Sequence, residues 1–444
     1  MSKQYFGTDG IRGTVGRDPM TADFAIRLAS AVAQVLVPQG GTVLIGKDTR
    51  LSGYMFESAL EAGFTAAGAN VLLLGPLPTP GIATLTQQYG GDLGVVISAS
   101  HNPYYDNGIK FFDATGSKLT DEIELEIEKQ LERPAITLES KALGKAKRID
   151  EARIRYQRFC ADTMPKGVSL DGLTVVFDGA NGAGYKVGPR ALADLGAEVI
   201  TIGCSPNGRN INAGSGSTHP ELLCTTVAAV GADVGIALDG DGDRLVMTDE
   251  AGQLIDGDQL LYILATARKA EGKLNGPVVG TVMSNLGLEH ALKAQDIDFE
   301  RAKVGDRYVL ESLKANGGTI GGETSGHMLV LDRTTTGDGL VSALQILAIM
   351  QERGEPLSAL AAGMPKYPQT MVNVRTEERM DPAESPAIMA AVDAVEAELK
   401  DSGRVVLRAS GTEPVIRVMV EGEDAEHVKA LAQRLADVVA EAAA

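Results

Sequence analysis

The sequence predicts an α/β protein with three related units followed by a smaller α+β unit of a different kind. Three observations point there. Short β-branched runs alternate with longer stretches whose apolar residues recur at helical spacing, the pattern of parallel strands covered on both faces. A weak repeat appears three times, from Ile45, Phe177 and Thr281, each reading strand, polar or Gly-rich loop, helix, and a second strand closing on glycine. The 52 glycines of 444 residues, about 12% against a usual ~7%, are spread along the chain, which suits many tight loops rather than a disordered tail.

Taken in order, Thr42–Gly46, Asn70–Gly75 and Leu93–Ile97 read as strands of the first unit, with Met55–Ala67 as a helix between them. The polar stretch Arg133–Asp150 closes that unit, residues 1–150. Thr174–Phe177, Glu198–Gly203 and Val234–Leu238 supply strands to the second unit, 151–253, which ends near Gly252–Gly257. Val278–Val282 opens the sheet of the third, 254–365, which stops where proline recurs at Gly363–Pro368. The last unit, 366–444, reads strand (Met371–Arg375), helix (Ala387–Leu399), two strands (Arg404–Arg408, Val415–Val420) and helix (Ala425–Ala442).

Composition removes several classes of function. Lys plus Arg is 41 and Asp plus Glu 59, a net charge of −18, which repels nucleic acid and anionic membrane at long range. An anionic small substrate then needs a cleft with a locally positive field. Cys160, Cys204 and Cys224 are odd in number and lack metal-ligand spacing, as in a reducing cytosol. No apolar run nears the ~18–20 residues of a membrane span, and MSKQYFGTDG lacks a signal-peptide pattern. A soluble cytoplasmic protein is expected.

Four loops could carry chemistry. In SASHNP, after the strand Leu93–Ile97, Ser100 is a candidate nucleophile or phosphate carrier, although a serine-rich turn of this kind can equally satisfy its own backbone. His101 beside it does not make a triad, since adjacent strand-end side chains tend to point apart. In DGDGDR, Asp239, Asp241 and Asp243 alternate just after a buried strand, and three carboxylates there need a hard divalent cation. A calcium EF-hand loop fits the same aspartates and Glu250, but Arg244 stands where that loop needs glycine and a strand precedes it. In GGETSGH, small residues bring Glu323, Ser325 and His327 close to a ligand, Glu323 as an acceptor and His327 for proton transfer. In RASGTEPVIR, Ser410, Gly411 and Thr412 between Arg408 and Arg417 suit a phosphate cradle. Two further glycine-rich turns hold Arg12 (Tyr5–Gly13) and Lys47 with Arg50 (Gly46–Gly53). His219, His290 and His427 have no companions and read as structural or surface residues.

In sequence order FGTDGIRG, SASHNP, DGDGDR, GETSGH and RASGTEP resemble the signature loops of the α-D-phosphohexomutase superfamily, from Phe6 to Gly422. YFGTDGIRG and PNGRNINAGSGSTHPE (Pro206–Glu221) look most like its branch acting on glucosamine phosphates. The resemblance implies four domains around a central cleft, one loop from each. It implies interconversion of glucosamine 6-phosphate and glucosamine 1-phosphate through a 1,6-bisphosphate, with Ser100 as phosphoserine. One Mg²⁺ per chain would be held by Asp239, Asp241, Asp243 and a phosphoserine oxygen. Arg244 would hold the transferring group, Arg12 and Lys110 would add positive charge, and Lys110 and His327 match the proton-transfer residues. Glu323 and Ser325 match the sugar-hydroxyl ligands, and Arg408, Ser410, Gly411, Thr412 and Arg417 the distal phosphate site. The implied partner is a small hexosamine phosphate, for a monomer or homodimer. Ser215, and Gly179 after Asp178, stand where the family often carries cysteine. Phosphomannomutase or phosphoglucomutase activity, a metal-dependent sugar phosphatase and a non-catalytic sugar-phosphate-binding protein are the competing readings; the phosphatase would have no use for Arg408–Arg417.

Overall fold

The computed structural model describes residues 3–377, 380–409 and 414–443, so Ser410, Gly411 and Thr412 lie outside the described residues. Four sheets follow one another along the chain. The first contains β1 (Ile11–Thr14), β2 (Thr42–Lys47), β3 (Asn70–Pro76), β4 (Leu93–Ile97), β5 (Asp106–Asp113) and β6 (Ala146–Arg148), in the order β1-β5-β4-β2-β3-β6. The second contains β7 (Thr174–Asp178), β8 (Glu198–Ile202), β9 (Val234–Leu238), β10 (Leu245–Thr248) and β11 (Leu254–Ile255), in the order β11-β10-β9-β7-β8. The third contains β12 (Val278–Thr281), β13 (Phe299–Ala302), β14 (Ile320–Gly322) and β15 (Met328–Val330), in the order β13-β12-β14-β15.

These three sheets share one plan. Three parallel strands, the first flanked by the second and third, are followed by a fourth that turns back antiparallel beside the third. The first two strands of that plan, with the helix between them, are the repeat read in the sequence. The plan's parallel strands are fully buried in β4 and β9, because helices cover both faces and leave no polar side to the strand. The hairpin between third and fourth strands therefore always emerges at the C-terminal edge of the parallel strands, where α/β sheets bind ligands. The three hairpins contain Ser100, the aspartates 239, 241 and 243, and Glu323 to His327 respectively. One apolar cluster from Leu44 to Met364 links the first three units, the first unit has a further core of its own, and buried Tyr156 donates to Asp338 at 2.8 Å to tie the start of the second to the third.

The fourth sheet differs, as expected. β16 (Gln369–Arg375), β17 (Gly403–Ala409) and β18 (Val415–Gly422) are antiparallel with β18 in the centre. The helices Pro386–Leu399 and Ala425–Ala442 bury Ile416 and Val418 on one face. Two-residue periodicity then turns Arg417 and Met419 to the other face. No helix among the described residues is long and apolar enough to cross a membrane.

Two expectations change. Tyr5–Gly13 is not all turn: Ile11–Thr14 forms an edge strand against β5, because Ile11 and Ile109 pair where both are buried. The break placed after residue 253 falls inside a sheet, since Leu254–Ile255 pairs with β10 and buries Ile255.

Candidate active site and metal site

The three hairpins converge on a cleft of about 580 Å³ lined by residues of the first three units, among them Arg12, Ser100, Asp243, Arg244, Glu323, Ser325 and His327. A second hollow of about 250 Å³ shares Val304, Glu323 and Ser325 with it and continues to Arg408, Arg417 and Met419 of the fourth sheet. Arg408 and Arg417 are directly opposite each other across β17 and β18.

Ser100 is buried, and its Oγ donates to Asp239 at 2.5 Å, so the serine loop of one unit touches the aspartate loop of the next. Its backbone has φ +50°, a left-handed conformation rare outside glycine. That rotation also brings the His101 ring back, with Nδ1 3.4 Å from Oγ, so neighbouring side chains here do not point apart. Burial, then the Arg244 and Arg12 charges, push the His101 imidazole down to about 4, leaving it neutral.

Asp239, Asp241 and Asp243 each offer an oxygen within 4.8 Å of the others, and all three are buried. Asp241 Oδ1 and Asp243 Oδ1 have no hydrogen-bond partner among the described residues. Two orphaned acceptors of that kind, beside the third carboxylate of Asp239, fit a hard divalent cation. Burial raises the Asp239 carboxyl well above its ordinary value, and the Asp241 and Asp243 charges raise it further. Asp241 is held down despite burial by Lys110 at 2.9 Å and by Thr79 at 2.7 Å.

Around the aspartates runs a closed ring of alternating charge. Lys110 bridges Asp241 and Asp9 (2.8 Å), Lys118 bridges Asp9 and Asp306, and His327 stands 3.4 Å from Asp306 and 3.7 Å from Asp243. Burial alone would depress Lys110 and His327, yet the surrounding carboxylates outweigh it. Lys110 is raised above its usual value and His327 to about 9, so both are cations in this arrangement. Arg12, paired with Asp9, and Arg244 each keep a buried Nε with no partner among the described residues, donors suited to an incoming anion. The −18 net charge is thus offset locally by Arg12, Lys110, Lys118, Arg244 and His327, which stand among the cleft carboxylates.

Glu323 accepts from Gly305 N at 3.0 Å, which sets its carboxylate at the junction of the two hollows. Gly326 has φ +91°, and a Cβ there would lie 1.9 Å from Leu245 O. Only glycine lets this turn receive Leu245 N at 2.9 Å and dock the third hairpin on the second. Lys47 and Arg50 lie outside the cleft: Lys47 pairs with Glu57, and Arg50 is buried behind Ser100. His219 and His427 are exposed, and His290 meets Tyr367 Oη at 3.2 Å. Sequence reasoning passed over Asp9, although it sits inside FGTDGIRG, and Lys118 and Asp306, which carry no local signal.

Fold and cleft define a phosphohexomutase-like protein, and comparison with known proteins agrees. The chain matches all four domains of the phosphoglucomutase/phosphomannomutase family: alpha/beta/alpha domain I over residues 3–136, domain II over 156–252, domain III over 256–367 and the C-terminal domain over 371–438. It belongs to that family. Among its curated relatives is the phosphoglucosamine mutase of Thioalkalivibrio sulfidiphilus, 57% identical across 99% of this chain and 98% of the other. The Methylococcus capsulatus phosphoglucosamine mutase is 56% identical across 100% and 99%. Of solved structures, a phosphoglucomutase/phosphomannomutase family protein from Burkholderia thailandensis superposes with a TM-score of 0.80 at 24% identity, covering 98% and 97%. The Aspergillus fumigatus N-acetylphosphoglucosamine mutase in complex with GlcNAc-6P and magnesium gives 0.70 at 18%, covering 100% and 96%; both share the fold.

Proposed function

We propose that the protein interconverts glucosamine 6-phosphate and glucosamine 1-phosphate in the cytoplasm, with phosphorylated Ser100 as the phosphoryl carrier. The observation that carries the reaction is the pairing of Ser100 Oγ against Asp239 at one end of the cleft with Arg408 and Arg417 at the other. A sugar with a phosphate at one end and a hydroxyl at the other suits such a space. The choice of glucosamine leans on the names of the curated relatives, and Glu323 supplies a carboxylate for a polar or cationic sugar substituent.

Mg²⁺ held by Asp239, Asp241, Asp243 and a phosphoserine oxygen would supply positive charge against the phosphoryl group and loosen the hold of those carboxylates on Lys110 and His327. The sugar hydroxyl bonds to phosphorus as the Ser100 Oγ–P bond breaks. Lys110 and His327 relay the hydroxyl's proton to the leaving Ser100 Oγ, so the serine is released as its hydroxyl. The resulting 1,6-bisphosphate turns over, its first phosphate enters the Arg408–Arg417 end, and the reverse step returns the other phosphoryl group to Ser100. Arg244 and Arg12 stabilise the charge in both halves. Walls from four units exclude water, which competes with the sugar for the phosphoryl group.

Purified protein given glucosamine, glucose, mannose or N-acetylglucosamine 6-phosphate with Mg²⁺ and 1,6-bisphosphate, followed by ³¹P NMR, tests this. The expected result is 1-phosphate formation with kcat/KM for glucosamine 6-phosphate at least about tenfold above the others, a ratio two or three pocket contacts can supply. An equal or higher value for glucose or mannose overturns the sugar assignment. Inorganic phosphate without 1-phosphate would make the protein a phosphatase.

A further inference from the structure

Two glycine-rich segments singled out in the sequence, 46–53 and 206–221, take no part in the cleft, and they meet behind Ser100. Arg50 is completely buried. Its Nε and backbone N–H donate to Asp48, both at 2.8 Å, and Asp48 also accepts from Ser98 Oγ at 2.5 Å. Its Nη1 donates to Pro103 O at 2.5 Å, and its Nη2 to the carbonyls of Ser100 at 3.0 Å and Asn102 at 2.8 Å. From the second unit, Asn212 Nδ2 donates to the same two carbonyls, at 2.9 and 3.1 Å. The segments also hold each other, with Leu51 N on Gly208 O at 3.0 Å, and Thr49 Oγ1 donates to Asn181 O elsewhere in the second unit at 2.5 Å. Gly240 of the aspartate hairpin closes the remaining side: a Cβ there would lie 2.5 Å from Ser100 O and 2.7 Å from Asn212 Nδ2.

We propose that Arg50 and Asn212 are positioning residues that clamp the Ser100 carbonyl from two sides and so aim the phosphoryl-carrying hydroxyl. This rests on Ser100 as the carrier. A serine at φ +50° is strained, and strain persists only where surrounding bonds over-determine it. The dihedral sets the direction of Cα–Cβ, and hence where Oγ meets Asp239. With the carbonyl released, the loop relaxes toward right-handed or extended backbone and Oγ leaves its line. A misplacement near 1 Å costs about a hundredfold in rate. Because Asn212 and the aspartates share one unit, the clamp also registers the serine of the first unit to the metal ligands of the second.

Arg50→Ala strands the buried Asp48 carboxylate and endangers folding, so the informative variants are Asn212→Ala and Asn212→Asp. The latter keeps the shape but sets an acceptor against two carbonyls. Expected for both, as full-length phosphoprotein, is a kcat roughly 10- to 100-fold lower with KM for the hexosamine 6-phosphate within about twofold. The melting temperature should stay near that of the parent, the ³¹P resonance of the phosphoserine should shift or broaden, and its hydrolysis rate by water should change. Unchanged kcat together with an unchanged ³¹P resonance in both variants overturns the clamp. So does a loss of kcat accompanied by an equal rise in KM and a collapse in melting temperature. A parent phosphoprotein that transfers to no hexosamine phosphate overturns the mutase reading instead, while the phosphoserine resonance and hydrolysis rate still decide the clamp.

Discussion

Lys118 belongs to no motif, yet it joins Asp9 of the first unit to Asp306 of the third and so closes the charged ring around the aspartates. Removing one member of a buried pair leaves its partner uncompensated, which costs more than the pair contributed. Lys118→Met should lower stability by roughly 1–3 kcal/mol and kcat/KM by more than tenfold, read from urea unfolding and the mutase assay. Adding Asp306→Asn should recover part of the stability, since the stranded charge is then gone. Asp258 and Asp338, buried behind the cleft residues, offer a pH test. Burial, before any other cause, raises both to about 6. A carboxyl whose folded value exceeds its unfolded value of about 3.9 binds its proton more tightly when folded. Its contribution is therefore full below about pH 4 and is lost as pH rises through about 6. Asp258→Asn should flatten the stability profile between pH 4 and 6 and raise the melting temperature at pH 8. An unaltered profile would refute this. The three aspartates, Ser100 and Arg244 were legible because they cluster in short motifs. Lys118, Asp306 and Asn212 were not, because their partners are more than a hundred residues away and only the fold brings them together.

The hairpin between third and fourth strands is the unit from which the cleft is assembled. The sequence showed the strand that opens it in the first two units, Leu93–Ile97 and Val234–Leu238, but the threefold repeat covered only the first two strands of each unit and stopped short of the hairpin. The antiparallel strands β5, β10 and β15 that close the hairpins were not read from the sequence, and neither were β1 and β11, which form because a neighbouring strand offers a buried partner, not because four and two residues carry a pattern of their own. Gly326→Ala places a methyl group against Leu245 O in a left-handed backbone. It should separate the second and third hairpins, lower kcat/KM about a hundredfold and reduce the melting temperature by several degrees. Steady-state kinetics and thermal unfolding measure both. In the aspartate hairpin, Asp241→Asn should weaken metal binding and leave Lys110 without one of its two close carboxylates. Chelation of the wild type should stop turnover, with recovery on adding Mg²⁺ and little on adding Ca²⁺, whose looser geometry positions a phosphoryl group poorly.

Four sheets share one cleft, and the fourth is attached chiefly through a polar joint. Buried Glu421 accepts from Leu286 N at 2.9 Å and pairs with Arg404 at 2.7 Å, and Arg404 reaches Val282 O at 2.9 Å and Ser284 O at 2.5 Å. The α+β character of this unit was readable from its strand and helix lengths, but the joint was not, since an arginine and a glutamate on alternating strands look like surface residues. Arg417, on the cleft face of β18, should hold the non-reacting phosphate. A charge-assisted hydrogen bond there is worth about 1.5–3 kcal/mol, so Arg417→Ala should raise KM roughly 10- to 150-fold. It should also let bisphosphate escape before the second transfer, so that activity decays with time and returns when 1,6-bisphosphate is added. An unchanged KM with no response to bisphosphate would return Arg417 to the surface.

In the proposed reaction, carrying the phosphoryl group, neutralising it and gripping the sugar would fall to three separate turns of backbone, one from each copy of the same plan. The turns meet at Gly240 against Ser100 O and at Gly326 against Leu245 O, so these contacts bind them together while the side chains facing the cleft are freer to change. Selection for a different sugar would act on residues 323–327 and their surroundings, and a lineage could exchange one hexose for another without rebuilding the machinery that moves phosphate.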